Sequence, residues 1–243
     1  MSSQQNATVS LIIPAYNEEQ YIGTCLAYVF RNAPYDFCEV IVVDNGSADR
    51  TAEIARKYPG VRVVREEQRG TMHARQRGFL SARGDILAFI DADTRMPAGW
   101  CAKIVDDFAC DPQCVCVSGP YRYHDMPPQK QWLITFFWRM LAWPAYRIIG
   151  YMVIGGNFAM RKTALEKMRG FDTSILFYGD DTAIARRAHA FGTVRFDLRL
   201  VMEVSARRLL REGVIHMGGK YIANFFSEIF LHHPLTTRYT NVR

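Results

Sequence analysis

The sequence predicts an α/β protein in which helices cover both faces of a mostly parallel central sheet. In the first half of the chain, runs that are almost entirely apolar alternate with helical segments; these runs are residues 9–13, 40–43, 61–64 and 86–90. Strands without a polar face are buried on both sides, as parallel strands are when crossover helices cover the sheet. A chain of 243 residues is long enough to bury one large core.

Helices are predicted between these strands from the spacing of apolar residues. Ile22, Leu26 and Val29 share one face of the first helix, and the later segments repeat this pattern. Another helix begins near Pro97, because proline is tolerated in the first turn. The predicted helices are residues 18–31, 49–58, 71–82 and 97–110.

The second half of the chain has a less regular pattern. Its aromatic segment, residues 131–149, looks helical, and Pro144 should kink or end that helix. The other predicted elements are a strand at 115–118, a strand or turn at 155–161, helices at 163–168 and 181–191, a strand at 194–196 and an amphipathic helix at 220–231.

The charge, the cysteine spacing and the N-terminal residues argue against a nucleic-acid-binding, zinc-binding or secreted protein. The net charge is +6, yet no run of five Lys or Arg residues is present, which argues against nucleic acid as a partner. Cys110, Cys114 and Cys116 fit no common zinc spacing, so the six cysteines are expected to be reduced thiols. Residues 1–8 lack the features of a secretory signal, which predicts a cytoplasmic protein.

Polar clusters follow the predicted parallel strands. They are residues 16–18, 44–47, 66–69 and 91–93. Ligands of open α/β sheets bind beyond the carboxyl ends of the strands. The clusters therefore predict a binding site at one edge of the sheet.

The acidic residues suggest the chemistry of that site. Asp91 and Asp93 could hold Mg2+ or Mn2+ and a diphosphate if the chain turns after Asp91, although acidic residues are also common at strand ends. Asp44 could bind a base or ribose, or only cap a turn. Asp180 and Asp181 could supply a general base, or only cap the helix that follows them.

Six segments in fixed order carry a family resemblance, namely residues 10–19, 39–47, 84–93, 155–161, 170–172 and 179–181. With these segments the chain resembles the family 2 glycosyltransferases, which share the GT-A fold. The resemblance implies a single GT-A domain over residues 1–243, with a nucleotide-sugar-binding half at 1–95 and an acceptor-binding half at 96–243. It also implies inverting transfer of a sugar from a nucleoside diphosphate donor, most often a UDP sugar, to a hydroxyl or phosphate acceptor.

The resemblance also implies residue roles. Asp93 would be the closest ligand of Mg2+ or Mn2+, together with Asp91, and Asp181 would be the catalytic base beside Asp180. The nucleotide would be bound by Pro14, Ala15, Tyr16, Glu18, Asp44, Arg75, Asp91 and Ala92. The acceptor side would contain Gly156, Asn157, Asp180 and Arg208.

Two departures from the family pattern matter. The family usually has Glu-Asp where this chain has Asp180 and Asp181, which leaves the choice of base open. Processive members carry Gln-x-x-Arg-Trp downstream, and the segment 207–211 lacks the Gln and the Trp. Single additions are therefore expected.

The aromatic segment 132–154 bears on the acceptor. It holds three tryptophans, but Arg139 and Arg147 make a membrane-spanning helix unfavourable. It could be a core helix with an acceptor lid, or it could lie in a membrane interface. An anionic membrane surface and a lipid-linked or saccharide acceptor are therefore considered as partners.

Two alternative functions stay open. One is a nucleotidyltransferase that makes an activated sugar, although the glycine-rich basic segment usual after the first strand of such enzymes is missing. The other is a non-catalytic module that binds nucleotide sugars.

Overall fold

The computed structural model describes residues 7–34, 36–175 and 180–207. Its strands are β1 (Val9–Ala15), β2 (Glu39–Asp44), β3 (Val61–Arg65), β4 (Ile86–Ile90), β5 (Thr94–Arg95), β6 (Cys114–Ser118), β7 (Tyr121–Tyr123), β8 (Asn157–Arg161), β9 (Thr193–Phe196) and β10 (Met202–Val204). Its helices are α1 (Ile22–Asn32), α2 (Thr51–Arg56), α3 (Thr71–Ser81), α4 (Trp100–Cys110), α5 (Pro128–Phe137), α6 (Trp143–Ile149), α7 (Lys162–Lys167) and α8 (Asp180–His189).

Seven strands form the central sheet, in the order β3-β2-β1-β4-β8-β6-β9. All of them run in one direction except β8, which is antiparallel to both β4 and β6. A smaller sheet of β5, β10 and β7 lies beside it. The predicted mostly parallel sheet is therefore confirmed.

Alternate residues of each central strand pack on opposite faces of the sheet. Leu11 and Ile13 belong to the core that contains α1 and α4, whereas Ile12 belongs to the core under α3, α7 and α8. On the second face the rings of Phe89 and Phe158 stack with their centroids 4.7 Å apart. Two apolar faces explain why these strands carry no polar alternation.

The aromatic helix passes through Pro144 instead of ending there. A π-helical turn, Trp138–Ala142, joins α5 to α6 just before this proline. Proline cannot donate a backbone hydrogen bond and its ring crowds the carbonyl four residues earlier. The wider π turn accommodates that defect, so the expected break is a local change of helix type.

Three short strands were missed from the sequence, namely β5, β7 and β10, which have two or three residues each. The predictions for Gly179, Arg208 and the helix at 220–231 lie outside the described residues. No helix in the described part of the chain is long and apolar enough to cross a membrane.

Candidate active site

The predicted polar clusters meet at one edge of the central sheet. The carboxyl ends of β1, β2 and β4 lie there, since Ala15 is paired with Asp44 and the β1–β4 pairing is parallel. Because β8 runs the other way, its first residue, Asn157, lies opposite Ile90 at the same edge. The loop before β8 is thereby brought to the clusters that follow β1, β2 and β4.

The chain turns immediately after Asp91, as the metal hypothesis requires. The backbone N–H of Thr94 donates to the Asp91 carbonyl at 3.2 Å, and the Thr94 hydroxyl donates to the same oxygen at 2.9 Å. The turn keeps the carboxylates of Asp91 and Asp93 near each other. Burial, with the charge of Asp91 second, raises the pKa of Asp93 to about 6.

Arg207 is the main counter-ion of this turn. Its guanidinium lies 2.9 Å from Asp93 Oδ2 and 2.8 Å from Glu18 Oε1. It also lies over the ring of Tyr21, with Cζ 4.2 Å from the centroid. Glu18 is buried, and its carboxylate accepts hydrogen bonds from Arg207 in this structure. The sequence resemblance instead predicts that Glu18 contacts the nucleotide.

The loops after β1 and β2 are tied together at the end predicted to bind the nucleotide. Asp44 is buried and accepts the backbone N–H of Ser47 at 3.0 Å. The backbone N–H of Asn17 donates to the Ser47 hydroxyl at 3.0 Å. Tyr16 contacts Arg69, whose Cζ lies 4.2 Å above the ring. This end therefore presents an aromatic ring, a cation and a buried carboxylate.

The apolar members of the predicted nucleotide set lie at the same edge. Pro14 and Ala15 end β1, and the Ala15 carbonyl accepts the backbone N–H of Asn45 at 2.8 Å. Ala92 is buried within the turn between Asp91 and Asp93. At these positions the backbone of the three residues could contact a nucleotide.

Arg75 lies beneath the pair of carboxylates that begins α8. Its side chain is 3% exposed, so it is not part of an exposed basic helix face. One terminal nitrogen donates to Asp180 Oδ2 at 2.9 Å, and the other donates to the Gly155 carbonyl at 2.8 Å. Asp181 Oδ1 lies farther away, at 3.9 Å from the guanidinium.

The two carboxylates of α8 are held in unequal environments. Burial raises the pKa of Asp181, and the adjacent charge of Asp180 raises it further. The pKa of Asp180 is raised by burial as well, but Arg75 opposes that effect by direct ion pairing. Asp181 is therefore the carboxylate with the greater tendency to hold a proton, as a general base requires.

Two glycines let the backbone approach these groups. A Cβ on Gly155 would collide with Asp181 and Arg75, and one on Gly156 would collide with Asp91 and Tyr121. The backbone N–H of Gly156 donates to the Tyr121 hydroxyl at 2.8 Å, and that hydroxyl donates to Asp91 at 3.4 Å. The loop thus joins the Asp91 turn to the start of α8.

Asn157 lies behind this loop and is fully buried. Its oxygen accepts Trp100 Nε1 at 2.8 Å, and its nitrogen donates to the carbonyls of Pro120 and Leu200 at 3.2 and 2.7 Å. These bonds occupy its amide group. The side chain positions the loop, and direct contact with an acceptor would need these bonds to break.

The donor set at the Asp91 turn fits a hard divalent cation. Two carboxylates lie close enough for the charge of Asp91 to raise the pKa of Asp93. No group of three or more metal-ligating side chains occurs among the described residues. Mg2+ is typically held by one or two carboxylates together with substrate phosphates, which matches this arrangement.

A family model decides the classification. The model described as "Glycosyl transferase family 2" matches residues 10–169, which covers β1 to α7. The chain belongs to glycosyl transferase family 2. This match confirms the resemblance seen in the sequence.

Curated relatives of this family 2 chain include proteins of Haloferax volcanii and Pyrococcus furiosus. The glycosyltransferase AglE of Haloferax volcanii is 43% identical over 98 residues, which cover 38% of this chain and 32% of AglE. The dolichol-phosphate mannosyltransferase of Pyrococcus furiosus is 33% identical over 102 residues, which cover 40% of this chain and 29% of that protein. The matched stretch thus spans about a third of the length of these relatives.

A solved structure confirms the fold of this family 2 chain. The mannosyltransferase PcManGT of Pyrobaculum calidifontis, determined in complex with GDP-Man and Mn2+, superposes with a TM-score of 0.73. The sequences are 24% identical, and the match covers 94% of this chain and 65% of PcManGT. The GT-A arrangement predicted from the sequence is therefore present.

Tyr121 and the pairing of Arg207 were missed from the sequence. Tyr121 begins the strand that follows Pro120, just beyond the carboxyl end of β6. The rule that located the other polar clusters, applied to the predicted strand at 115–118, would have found it. Arg207 carried no comparable signal, because its partner Glu18 lies 189 residues away in the sequence.

Proposed function

We propose that this chain transfers a single sugar from a nucleoside diphosphate sugar to a hydroxyl or phosphate acceptor, with inversion at the anomeric carbon. One observation carries the proposal. The turn holding Asp91 and Asp93 and the start of α8 holding Asp181 meet across Gly155 and Gly156. In this proposal the diphosphate would lie on the Asp91 side of the loop and the catalytic base on the Asp181 side.

Asp93 and Asp91 are the residues that would hold Mg2+ or Mn2+. When bound, the ion neutralises charge on the diphosphate leaving group. Arg207 already balances Asp93 in this structure, with a separation of 2.9 Å. The guanidinium and a divalent cation would share the same carboxylate, so the position of Arg207 should respond to metal.

Asp181 is proposed as the base that accepts the acceptor proton during the attack. Asp180 is held by Arg75 at 2.9 Å, whereas Asp181 is 3.9 Å away from the same guanidinium. The carboxylate with the weaker ion pair is the better proton acceptor. Asp180 and Arg75 then position Asp181, and Arg75 would reach a nucleotide only if this ion pair opened.

The structure is compatible with more than one nucleobase in the donor. The sequence resemblance favours uracil next to Asp44, while the structural neighbour PcManGT was determined with GDP-Man. The buried carboxylate of Asp44 and the ring of Tyr16 could contact either base. Both donor types therefore belong in the first binding screen.

The same proposal covers the acceptor side and the partners. Residues 1–95 would bind the donor, and residues from 96 onward would shape the acceptor side around Gly156. A lipid-linked or saccharide acceptor and an anionic membrane surface remain the proposed partners. The name of the Pyrococcus furiosus relative, a dolichol-phosphate mannosyltransferase, supports a lipid phosphate among the acceptors to be tested.

The two alternatives make different predictions. A nucleotidyltransferase would form a nucleotide sugar from a sugar phosphate and a nucleoside triphosphate, and the family match supports sugar transfer instead. A non-catalytic module would bind the donor and never turn it over. Donor binding and turnover must therefore be measured separately.

Donor binding is tested by thermal shift with GDP-mannose and UDP-glucose in the presence of Mn2+. A hundredfold excess over Kd should raise the Tm by about 5–10 °C through binding linkage. Asp93→Ala should lose most of this shift, because it removes the main proposed metal ligand. Asp106→Ala is the control: it removes an exposed carboxylate of α4, and the variant should keep the full thermal shift. If neither Asp93→Ala nor Mn2+ removal changes the shift, the metal assignment is wrong.

A further inference from the structure

We propose that the outward face of the helical segment 128–149 docks onto an anionic lipid bilayer. This docking face consists of Trp132, Leu133, Phe136, Phe137, Met140, Leu141 and Ile148. The inference rests on the proposed function in one respect, because it names the membrane partner and locates it beside the cleft.

The docking face is exposed to an extent that is unusual for large apolar side chains. Trp132 is 62% exposed, Leu141 is 59% exposed and Ile148 is 86% exposed. A contiguous apolar surface of this kind marks an interaction site, whereas single exposed apolar residues need no explanation. Nothing in the described residues buries these side chains.

The spacing of the residues makes the face continuous. Trp132, Phe136 and Met140 are four residues apart, as are Leu133, Phe137 and Leu141. In a regular α-helix this spacing drifts around the axis, because a turn contains 3.6 residues. The wider π turn at Trp138–Ala142 offsets that drift and keeps the later residues in line.

The opposite face of the segment is already packed against the protein. Ile134 packs against Met126 and Ala206, and Trp138, Ala142 and Tyr146 pack around Phe196. The segment is therefore anchored on one side and apolar on the other. A helix that is apolar all round requires an apolar environment on both sides.

Charge selects an anionic bilayer as the occupant. No Asp or Glu occurs between residues 126 and 165, whereas Lys130, Arg139 and Arg147 lie on the helical segment itself. Arg147 also lies over the ring of Trp143, with Cζ 5.4 Å from the centroid. Trp and Arg are favoured at the level of lipid headgroups. A second copy would instead place like charges against each other.

A cationic groove beside the docking face supports the same occupant. The groove has a volume of about 500 Å³, and no acidic residue lines it. Lys103, Arg122, Arg139 and Arg199 line it, although Lys103 pairs with Asp107 and Asp197, Arg122 with Glu203 and Arg199 with Asp197. Phosphate groups of lipids at the docking face would find these cations next to them.

The docking face is connected to the candidate active site through Tyr121. Trp138, on the inner side of the segment, donates from Nε1 to the Tyr121 carbonyl at 3.1 Å. The hydroxyl of the same tyrosine reaches Asp91 and accepts the Gly156 N–H. A bilayer at this face would therefore present a lipid-linked acceptor next to the acceptor side of the cleft.

Flotation of the full chain with vesicles tests the proposal. We expect wild type to float with vesicles of phosphatidylcholine and phosphatidylglycerol at low salt, and to float far less with phosphatidylcholine alone. Trp132→Ser with Phe136→Ser should reduce the bound fraction at least about tenfold. Leu80→Ser is the matched control and should float like wild type, since Leu80 is 66% exposed on α3.

Charge variants provide a second readout that does not remove apolar surface. Arg139→Gln and Arg147→Gln should each weaken binding about fivefold. Arg56→Gln, on the exposed end of α2, should not. Equal effects of the face and control variants, or no flotation of wild type, would overturn the proposal. A self-associating wild type that Trp132→Ser makes monomeric would overturn it as well, in favour of a second copy.

The donor thermal shift of the same preparations separates the two proposals. If wild type does not float but shows the donor thermal shift in Mn2+, the docking face is refuted and the proposed function still stands. If wild type floats but shows no donor thermal shift, the proposed function is refuted and the docking face still stands.

Discussion

The balance of charge among single residues determines which carboxylates of the cleft can exchange protons or bind a cation. Arg75 neutralises Asp180 at 2.9 Å, and Arg207 neutralises Asp93 and Glu18 at 2.9 and 2.8 Å. Asp181 has a weaker ion pair, and its pKa is raised by burial and by Asp180. The proposed roles of Asp181 as base and of Asp93 as metal ligand rest on these unequal pairings.

Asp180→Asn should move the pH dependence of turnover. A base works when deprotonated, so the raised pKa of Asp181 places the acid limb well above the pH near 4 of an ordinary aspartate. Removing the charge of Asp180 frees Arg75 for Asp181, and both changes lower the pKa of Asp181. We expect the limb to shift to lower pH by about one unit or more.

The measurement is the pH profile of turnover at saturating donor, with Asp106→Asn as the control because that carboxylate is exposed on α4. A limb that stays in place, or that moves to higher pH, would show that Asp180 does not set the acidity of Asp181.

The sequence could identify the acidic residues but not their partners. Asp91, Asp93, Asp180 and Asp181 stand out because they follow a buried strand or begin a helix. Arg75 and Glu18 were expected at the nucleotide. The structure pairs them with Asp180 and Arg207, which lie 105 and 189 residues away in sequence. Pairings over such separations are set by tertiary packing and leave no local pattern.

At the scale of secondary structure, the loop before β8 joins the two halves of the cleft. Its glycines face Asp91, Arg75 and Asp181 where a side chain would collide. The strands of the first half were predictable from apolar runs. The reversed direction of β8 was not, because a short buried strand has the same pattern in either direction.

Gly156→Ala tests the importance of this close approach. The new methyl group would collide with the Asp91 carboxylate and the Tyr121 hydroxyl, so both must move. We expect a loss of about 1–3 kcal/mol in the free energy of unfolding and a reduced donor shift in Mn2+. Chemical denaturation and thermal shift measure the two effects.

Gly23→Ala is the control for that substitution. An added Cβ on Gly23 makes only ordinary contact with Ile54 at 3.4 Å, and the residue lies in the first turn of α1. Alanine is the better helix former, so stability should be unchanged or rise by up to about 1 kcal/mol. If Gly156→Ala and Gly23→Ala have the same effect on the free energy of unfolding and on the donor thermal shift, the close contacts of Gly156 are not important.

At the scale of the whole molecule, the site is assembled from segments spread over most of the described chain. Asn157 links β8 to α4 through Trp100 and to the segment after β9 through Leu200. The general architecture was predictable, because alternating strands and helices leave few arrangements of a parallel sheet. The small sheet was not, since β10 pairs with β5 and β7 across long stretches of sequence.

The proposed function requires one site that binds a donor near Asp93 and activates an acceptor with Asp181. Asp181→Asn keeps the size of the side chain and removes its basicity. Product formation and the Kd of the donor in Mn2+ should be measured on the same preparation of this variant. We expect a fall in turnover of about 10²–10⁴-fold with donor affinity within about twofold of wild type. Turnover like that of wild type would contradict the role of Asp181 as the base.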